Sequence, residues 1–384
     1  MDVADLKQQL EDLRMAPFRD LPPIEDVPCN ETSDTTRLCA NPVVSVLMIT
    51  YNHADNIRAA IEAVMMQKTD FPYELIIGED ASSDGTREIC FEMQRKHPDR
   101  IRVLWSEANV YAMNGNIRRV FRAVRGEFLA CCEGDDRWVD PNKLQRQVEL
   151  MRANPSVGIC LGGTEVEHVA RGRVVSFPWS GGGSRLVGGE EFVRIFLGMS
   201  EPEDFAFQPL HYQTSGYLIR RSSLAEAERR FPEAHCWNWR FGDLILLTTV
   251  AMVSNVALVV DCVSRYRLTE TNASATQGEG LILEGLVYDV YLRVKGLGQS
   301  LESALDAESR RLRSLLGRVL SQQAKEEQMA VAQKTAVSPS LGRLFLAPGY
   351  RLVLPFLRRG ALTRGRWKVV YRVGRICDRI FVRS

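Results

Sequence analysis

Phe128-Leu129-Ala130-Cys131-Cys132-Glu133-Gly134-Asp135-Asp136-Arg137-Trp138 is an apolar run of strand length that breaks off into three carboxylates. A buried strand from Phe128 to Cys132 forms readily, but its tip gathers negative charge. Clustered carboxylates repel unless a cation or basic groups sit among them. Mg²⁺ or Mn²⁺ suits such a place, because each takes one or two carboxylates and fills its other positions with phosphate oxygens and water. The stretch predicts a metal-held phosphate compound at a strand end.

Working upstream, Val43 to Thr50 is a second apolar, β-branched run, followed by Tyr51-Asn52-His53. Ile57 to Gln67 then has helical spacing, with Ile57, Ile61, Val64 and Met65 on one face. Tyr73 to Glu79 is another strand, and it runs into Asp80-Ala81-Ser82-Ser83-Asp84-Gly85-Thr86, where Asp84 is placed to cap a helix reaching Arg95. Ile101 to Trp105 predicts a third strand and Asn116 to Arg125 a helix before the strand at Phe128. Strands alternating with helices imply a doubly wound, parallel sheet whose ligand sits at the carboxyl ends of the strands. Every polar cluster named so far falls there.

Downstream, Asp140-Pro141 starts a helix over Asn142–Ala153. A Gly-rich break at Ser180–Ser184 matches no phosphate-binding loop. A short helix over Gly189–Leu197 leads to the acidic Glu201-Pro202-Glu203-Asp204. Tyr217–Ile219 reads as a strand, Ser222–Arg230 as a helix capped by Ser222, residues 241–253 as an apolar helix and Val256–Val260 as a strand. From about 278 to 333 the pattern is helical, with a break near Gly296-Leu297-Gly298.

The net charge of +1 hides an uneven distribution. Residues 335–384 hold ten Arg, one Lys and one Asp, a net +10, which leaves −9 for the remainder. Leu344-Phe345-Leu346, Leu352-Val353-Leu354 and Phe356-Leu357 alternate with Arg343, Arg351, Arg358 and Arg359. That pattern suits a basic amphipathic segment lying on an anionic membrane surface; a solvated helical face or a contact between copies is the alternative. No nucleic-acid reader motif is present. Nine scattered cysteines without a CxxC pair point to a reducing compartment and away from zinc. The first residues lack signal-peptide character, and no apolar stretch is long enough to span a bilayer. The expectation is a cytoplasmic protein, peripheral on the inner face of the membrane if the tail binds lipid.

Ser45-Val46-Leu47-Met48-Ile49-Thr50-Tyr51-Asn52, Glu79-Asp80-Ala81-Ser82-Ser83-Asp84-Gly85-Thr86 and Glu133-Gly134-Asp135-Asp136-Arg137-Trp138 together resemble the ordered blocks of family 2 glycosyltransferases. Phe241-Gly242-Asp243-Leu244 resembles the block where such enzymes carry the carboxylate that activates the acceptor, and Tyr266-Arg267 also has a counterpart in bacterial members. The resemblance covers about residues 43–270. It implies the GT-A nucleotide-diphospho-sugar transferase fold, a Rossmann-like mixed, mostly parallel α/β sheet flanked by helices, here with a C-terminal helical extension. It also implies an inverting transferase that moves a sugar from a nucleotide-diphosphate donor to a glycan or polyprenyl-linked acceptor, in surface polysaccharide assembly.

Carried over position by position, the resemblance puts Thr50, Tyr51, Asn52 and Ser82 around the nucleotide. Asp80 accepts from the base, Asp135 lies at the donor, Asp135 and Asp136 hold Mg²⁺ or Mn²⁺, and Asp243 is the general base. Two departures stand out: Glu133 where the family's strand-end motif opens with Asp, and Gly242-Asp243 where Glu-Asp is usual. Glu133, Arg118, Trp138 and His211 are further candidates. For Arg118 the competing reading is a solvated helix residue, for Trp138 packing, and for His211 an ordinary loop histidine. The expected organisation is an N-terminal arm (1–42), a transferase domain (43–270, split at 160 into nucleotide and acceptor halves), a helical extension (271–334) and the basic tail (335–384). A sugar-phosphate nucleotidylyltransferase would need a Gly-rich basic loop where Tyr51-Asn52-His53 stands. A catalytically degenerate binding protein is the remaining alternative.

Overall fold

The computed structural model describes residues 23–111, 115–177, 184–197, 199, 213–236 and 242–268, and positions 285, 288, 289, 291–300, 303, 304, 307 and 310. The Gly-rich 180–183, the acidic 201–204, His211 and the tail 335–384 lie outside the described residues. The chain divides at residue 270: described residues 23–268 form one compact unit, and those from 285 onward belong to a second.

The elements of the first unit are β1 (Asn30–Thr32), β2 (Val44–Thr50), α1 (Ile57–Met65), β3 (Tyr73–Glu79), α2 (Thr86–Lys96), β4 (Ile101–Trp105), α3 (Ile117–Arg122) and β5 (Phe128–Cys131). There follow β6 (Arg137–Trp138), α4 (Lys143–Ala153), β7 (Val157–His168), β8 (Arg173–Phe177), β9 (Ser184–Val187) and α5 (Gly189–Phe196). The last are β10 (Tyr217–Arg220), α6 (Arg221–Arg230), α7 (Pro232–Cys236), α8 (Gly242–Ala251) and β11 (Asn255–Leu268). They make a mixed α/β layer structure on one sheet of order β1-β4-β3-β2-β5-β10-β7-β11-β6, with β8 on β7 and β9 on β11.

β4, β3, β2 and β5 are parallel, as their continuous apolar sequences require: strands covered by helices on both faces have no solvent side to mark with polar residues. Val44, Val46, Met48, Leu75, Ile77, Val103, Phe128 and Ala130 all lie in the core. α1 buries Ile57, Ile61 and Val64 against them, each side chain contributing roughly 1.5–3 kcal/mol by leaving water. Gly78 is needed where α3 crosses β3, since a Cβ there would stand 2.4 Å from Asn116 Oδ1 and 2.6 Å from Val120 Cγ2.

Register decides what the strand ends can do together. Thr50 pairs with Glu79, and Glu79 with Trp105, so the loops after β2, β3 and β4 leave one edge at one level. Antiparallel β10 lies between β5 and β7 and enters the sheet from that same edge. Residues just before β10 therefore stand beside the tip of β5.

Some sequence expectations are corrected. Ser222 does not cap α6; the cap residue is Arg220, and Ser222 sits within the first turn. The strand expected at Val256–Val260 runs on to Leu268, and β1, inside the expected N-terminal arm, pairs with β4. In the second unit, the expected break falls where the π-helical turn Leu292–Gly296 ends, with Gly298 at φ +65°.

One partly buried group makes stability depend on pH. Thr249 Oγ1 donates its proton to the Ile245 carbonyl (2.6 Å), so His235 Nε2, 3.1 Å away, must be the donor to it. Burial holds the His235 imidazole down at about 4. Because that lies below the ordinary value of about 6.5, the unfolded chain takes up a proton that the folded chain refuses, and stability falls between those two pH values. Denaturant titrations should show a loss of the order of 2–3 kcal/mol on acidification through this window. His235→Gln should flatten that dependence, and an unchanged profile would show that the imidazole is not held neutral.

Candidate active site

Among the described residues, the non-glycine positions with positive φ are Asn52 (55°), Ala81 (58°) and Tyr111 (62°). They lie in the three successive loops after β2, β3 and β4. A left-handed conformation costs roughly 1–2 kcal/mol per residue and persists where surrounding bonds over-determine it. Those bonds are present. Asn52 N–H donates to Ser82 Oγ (3.0 Å), and Asn52 Oδ1 accepts from the Ser83 amide (2.9 Å). Glu79 Oε1 accepts from the Ser82 amide (2.6 Å), and Asn109 Oδ1 from the Tyr111 amide (2.8 Å). Asp84 ties the same loops from behind: it accepts from the Ala54 amide (3.0 Å) and the Thr86 amide (3.1 Å), one residue before the helix-capping Gly85. Its role is the structural one.

Asp80 is buried beneath this rim. Its Oδ1 accepts from the Val110 amide (2.7 Å). Loss of water raises its carboxyl above the ordinary value, against the lowering pull of the Val110 amide and the Arg119 charge. Arg119 is itself buried and spends its guanidinium on Ser106 Oγ (2.9 Å), Asn116 Oδ1 (3.0 Å) and the carbonyls of Pro28 and Glu79. Desolvation lowers its pKa. The sequence put forward its neighbour Arg118 as a candidate. Arg119 instead braces the loops, and Arg118 is the half-buried one on α3.

The acidic tip of β5 packs against Thr50. A Cβ on Gly134 would lie 2.8 Å from Thr50 Cβ and 2.9 Å from His53 Nδ1, so only glycine lets the carboxylate loop approach β2 this closely. Thr50 Oγ1 also lies 3.2 Å from His53 Nδ1. Glu133 keeps some solvent contact along its side chain, yet its carboxyl is pushed well above the ordinary range. Desolvation is the first cause; the charges of Asp135, Asp136 and Asp243 add to it. The smallest of these contributions comes from Asp243, at the start of α8.

Asp136 is buried, and both its oxygens are engaged. Oδ2 accepts from Ser215 Oγ (2.6 Å) and Oδ1 from the Arg267 amide (3.3 Å). Burial and the neighbouring Asp135 charge push its carboxyl up. Ser215 also accepts from the Glu133 amide through Oγ (3.1 Å), and its carbonyl accepts from Trp138 Nε1 (2.7 Å). Trp138 is 1% exposed, with Lys143 Nζ 4.4 Å above its ring. The ring is spent on packing and takes no sugar. Ser215 carried no sequence signal beyond preceding a strand, and it is the residue that locks the carboxylate loop. Ser215→Ala leaves a buried carboxylate oxygen and an amide without partners, a cost of about 1–3 kcal/mol. The melting temperature should fall by roughly 2–4 °C for each kcal/mol, and Ser215→Thr should retain most of the stability. An unchanged melt for Ser215→Ala would refute this role.

Among the described residues, no three His, Cys, Asp or Glu side chains form a metal cage. A cage is not what a nucleotide-linked Mg²⁺ or Mn²⁺ requires, since phosphate and water supply most of its ligands. Half-exposed Asp135, amid four carboxyl groups whose mutual repulsion raises Glu133, is a hard-oxygen donor set that suits such an ion. Tyr51 and Asn52 are exposed, and Ser82 half-exposed, on the rim above.

Residues 45–224 match the family model described as Glycosyl transferase family 2. The match stops short of Asp243, so only the geometry joins that residue to the matched stretch. Rv1520, an uncharacterized protein of Mycobacterium tuberculosis, is 36% identical over 135 residues, which make up 35% of this chain and 39% of that one. The Escherichia coli UDP-Glc:alpha-D-GlcNAc-diphosphoundecaprenol beta-1,3-glucosyltransferase WfgD is 32% identical over 126 residues, 32% of this chain and 46% of its own. The alignment thus spans about two fifths of the length of the curated relatives. The Pyrobaculum calidifontis mannosyltransferase PcManGT, solved with GDP-Man and Mn²⁺, aligns at TM-score 0.48 and 15% identity over 92% of this chain and 93% of its own. Over residues 45–224 the chain is thus similar to glycosyl transferase family 2.

Proposed function

We propose that this chain transfers a sugar, with inversion, from a nucleoside-diphosphate donor to a hydroxyl of a glycan or polyprenyl-linked acceptor in surface polysaccharide assembly. The observation that carries the reading is the carboxylate tip of β5, Glu133, Asp135 and Asp136, packed against Thr50 at the edge where the loops after β2, β3 and β4 end, with the Asp243 charge also acting on Glu133. WfgD, a glucosyltransferase named for a diphosphoundecaprenol-linked acceptor, supports the acceptor class.

In this reading Tyr51, Asn52, Asp80 and Ser82 hold the nucleoside, and Asp135 faces the diphosphate. Asp135 would hold Mg²⁺ or Mn²⁺, and Asp136, its oxygens engaged by Ser215 and the Arg267 amide, fixes the loop beside it. The ion neutralises charge on the departing diphosphate when bound. Asp243 takes the proton of the acceptor hydroxyl as its oxygen bonds to the anomeric carbon. The bond from that carbon to the diphosphate breaks on the opposite side, and one in-line displacement gives inversion.

Residues 335–384, net +10, would hold the enzyme at the anionic surface where polyprenyl acceptors reside. The test is release of nucleoside diphosphate from a panel of nucleotide sugars, with polyprenyl-diphosphate glycans in anionic vesicles as acceptors. Turnover of one donor, abolished by EDTA and weakened by deletion of 335–384, is expected. Donor binding without release under any of these conditions would make the protein a binder and sink the proposal.

A further inference from the structure

We propose that the hairpin joining β7 to β8 is a membrane-contact surface, which lays its aliphatic, arginine-bearing tip on an anionic lipid bilayer beside the carboxylate cluster. The proposal rests on the lipid-linked acceptor reading just given, and it names a surface separate from residues 335–384.

β7 and β8 pair antiparallel from Thr164↔Phe177 to His168↔Arg173. A single 3-10 turn over Val169–Arg171 closes them, and the Gly172 amide donates to the Val169 carbonyl (3.2 Å). Gly172 stands at φ +56°, and a Cβ on it would meet nothing within 4 Å, so the space beside the tip is open.

The residues shown to that space share one character. Val169 is 39% and Val174 43% exposed, and Ala170, Arg171 and Arg173 are exposed with them. Neither Arg171 nor Arg173 pairs with a carboxylate of the described residues. The carboxylates just behind the tip are already engaged: Glu165 pairs with Arg265 (2.7 Å) and Glu167 with Arg267 (3.3 Å). From His168 to Gly189 the sequence has three Arg and neither Asp nor Glu. Aliphatic side chains beside unpaired guanidiniums, with no acid to repel phosphate, match an anionic headgroup layer over an apolar interior. Two copies meeting tip to tip would instead set arginine against arginine, which disfavours that contact.

Position gives the contact a use. At one level of the sheet Asp136 accepts from the Arg267 amide, Arg267 lies beside Glu167, and Glu167 beside Val174. Strands lie about 4.8 Å apart, so Val174 stands roughly 15 Å from the carboxylate cluster. An acceptor whose diphosphate stays among the headgroups can carry its sugars across such a gap. Each arginine near an anionic surface is worth about a fivefold gain in partition, too little for two to anchor a protein. Added to the +10 of residues 335–384, the hairpin works by orientation: a second point of contact fixes which edge of the sheet meets the lipid.

The test is hydrogen exchange of the full chain, read by mass spectrometry, on vesicles of phosphatidylglycerol and phosphatidylcholine in equal parts and on phosphatidylcholine alone. Exchange across residues 168–176 should slow by about threefold or more on the mixed vesicles and stay at its solution rate on the neutral ones. Arg171→Glu/Arg173→Glu should remove that protection and weaken partition onto the mixed vesicles by about tenfold or more, with the melting temperature unchanged. Binding to the mixed vesicles while 168–176 exchanges as in solution would overturn the inference and leave residues 335–384 as the contact. Slowing that grows with protein concentration in the absence of vesicles would overturn it too, making the tip a contact between copies. Binding to neither vesicle would overturn both surface assignments, whereas the transferase reading stands or falls by nucleoside diphosphate release.

Discussion

Asp243→Asn should lower sugar transfer by about a thousandfold or more while nucleoside diphosphate binding stays within about twofold of wild type. The separation of the two readouts follows from position. Asp243 opens α8, whereas the proposed nucleotide contacts come from the loops after β2, β3 and β5. Asn is isosteric and keeps the helix start intact, so protein stability should change little. What it cannot do is accept a proton, and general-base contributions of about 10²–10⁴ are lost with that capacity. Normal turnover by the variant would remove Asp243 from the chemistry and make it a helix-start residue only. Loss of nucleotide binding together with turnover would place it at the donor instead.

The second large effect belongs to Asp135. Asp135→Ala should reduce kcat/KM by about 10³-fold or more and leave no concentration of Mn²⁺ that restores it. Among the three carboxylates of the tip, Asp136 is buried with its oxygens committed to Ser215 and the Arg267 amide, and Glu133 carries a carboxyl held well up by desolvation. Asp135 is the half-exposed member. Removing it also relieves the repulsion that raises Glu133, so the folded protein should be as stable as wild type or more so. A loss of activity that tracked a loss of folding would contradict this account. Activity restored by excess Mn²⁺ would show that another group is the main ligand.

The parallel half of the sheet could be read from the sequence because its physics is local. β2, β3, β4 and β5 are runs buried on both faces, each ended by polar residues that cannot continue inward. β1 could not be read. Asn30-Glu31-Thr32 has no apolar signal, and what makes it a strand is distant in sequence: β4 offers a free edge, Arg102 pairs with Glu31 at 2.9 Å, and Trp105 Nε1 donates to Thr32 Oγ1 at 3.1 Å. The far reach of β11 was equally hidden, since Arg265 and Arg267 look solvated until Glu165 and Glu167 are found across the pair on β7.

The site divides the same way. Asp80 and Asp135 follow the ends of β3 and β5, as the strand pattern led one to expect, and the roles given to them came from the family resemblance. Roles set by a partner far along the chain could not be read that way: that of Ser215 is set by Asp136, and that of Arg119 by carbonyls from two other loops. Asp136 was read as a metal ligand from its place in the cluster; its two bonds to residues 79 and 131 positions away give it a bracing role that spacing does not encode.

The most direct test of the central claim is a calorimetric titration of the tightest-binding nucleoside diphosphate, with and without Mn²⁺, into wild type and Asp135→Ala/Asp136→Ala. The account predicts binding that depends on the metal in wild type and is absent from the double variant. Binding of equal strength without metal, or in the double variant, would contradict the assignment of the β5 tip as the place where a metal-linked diphosphate is held.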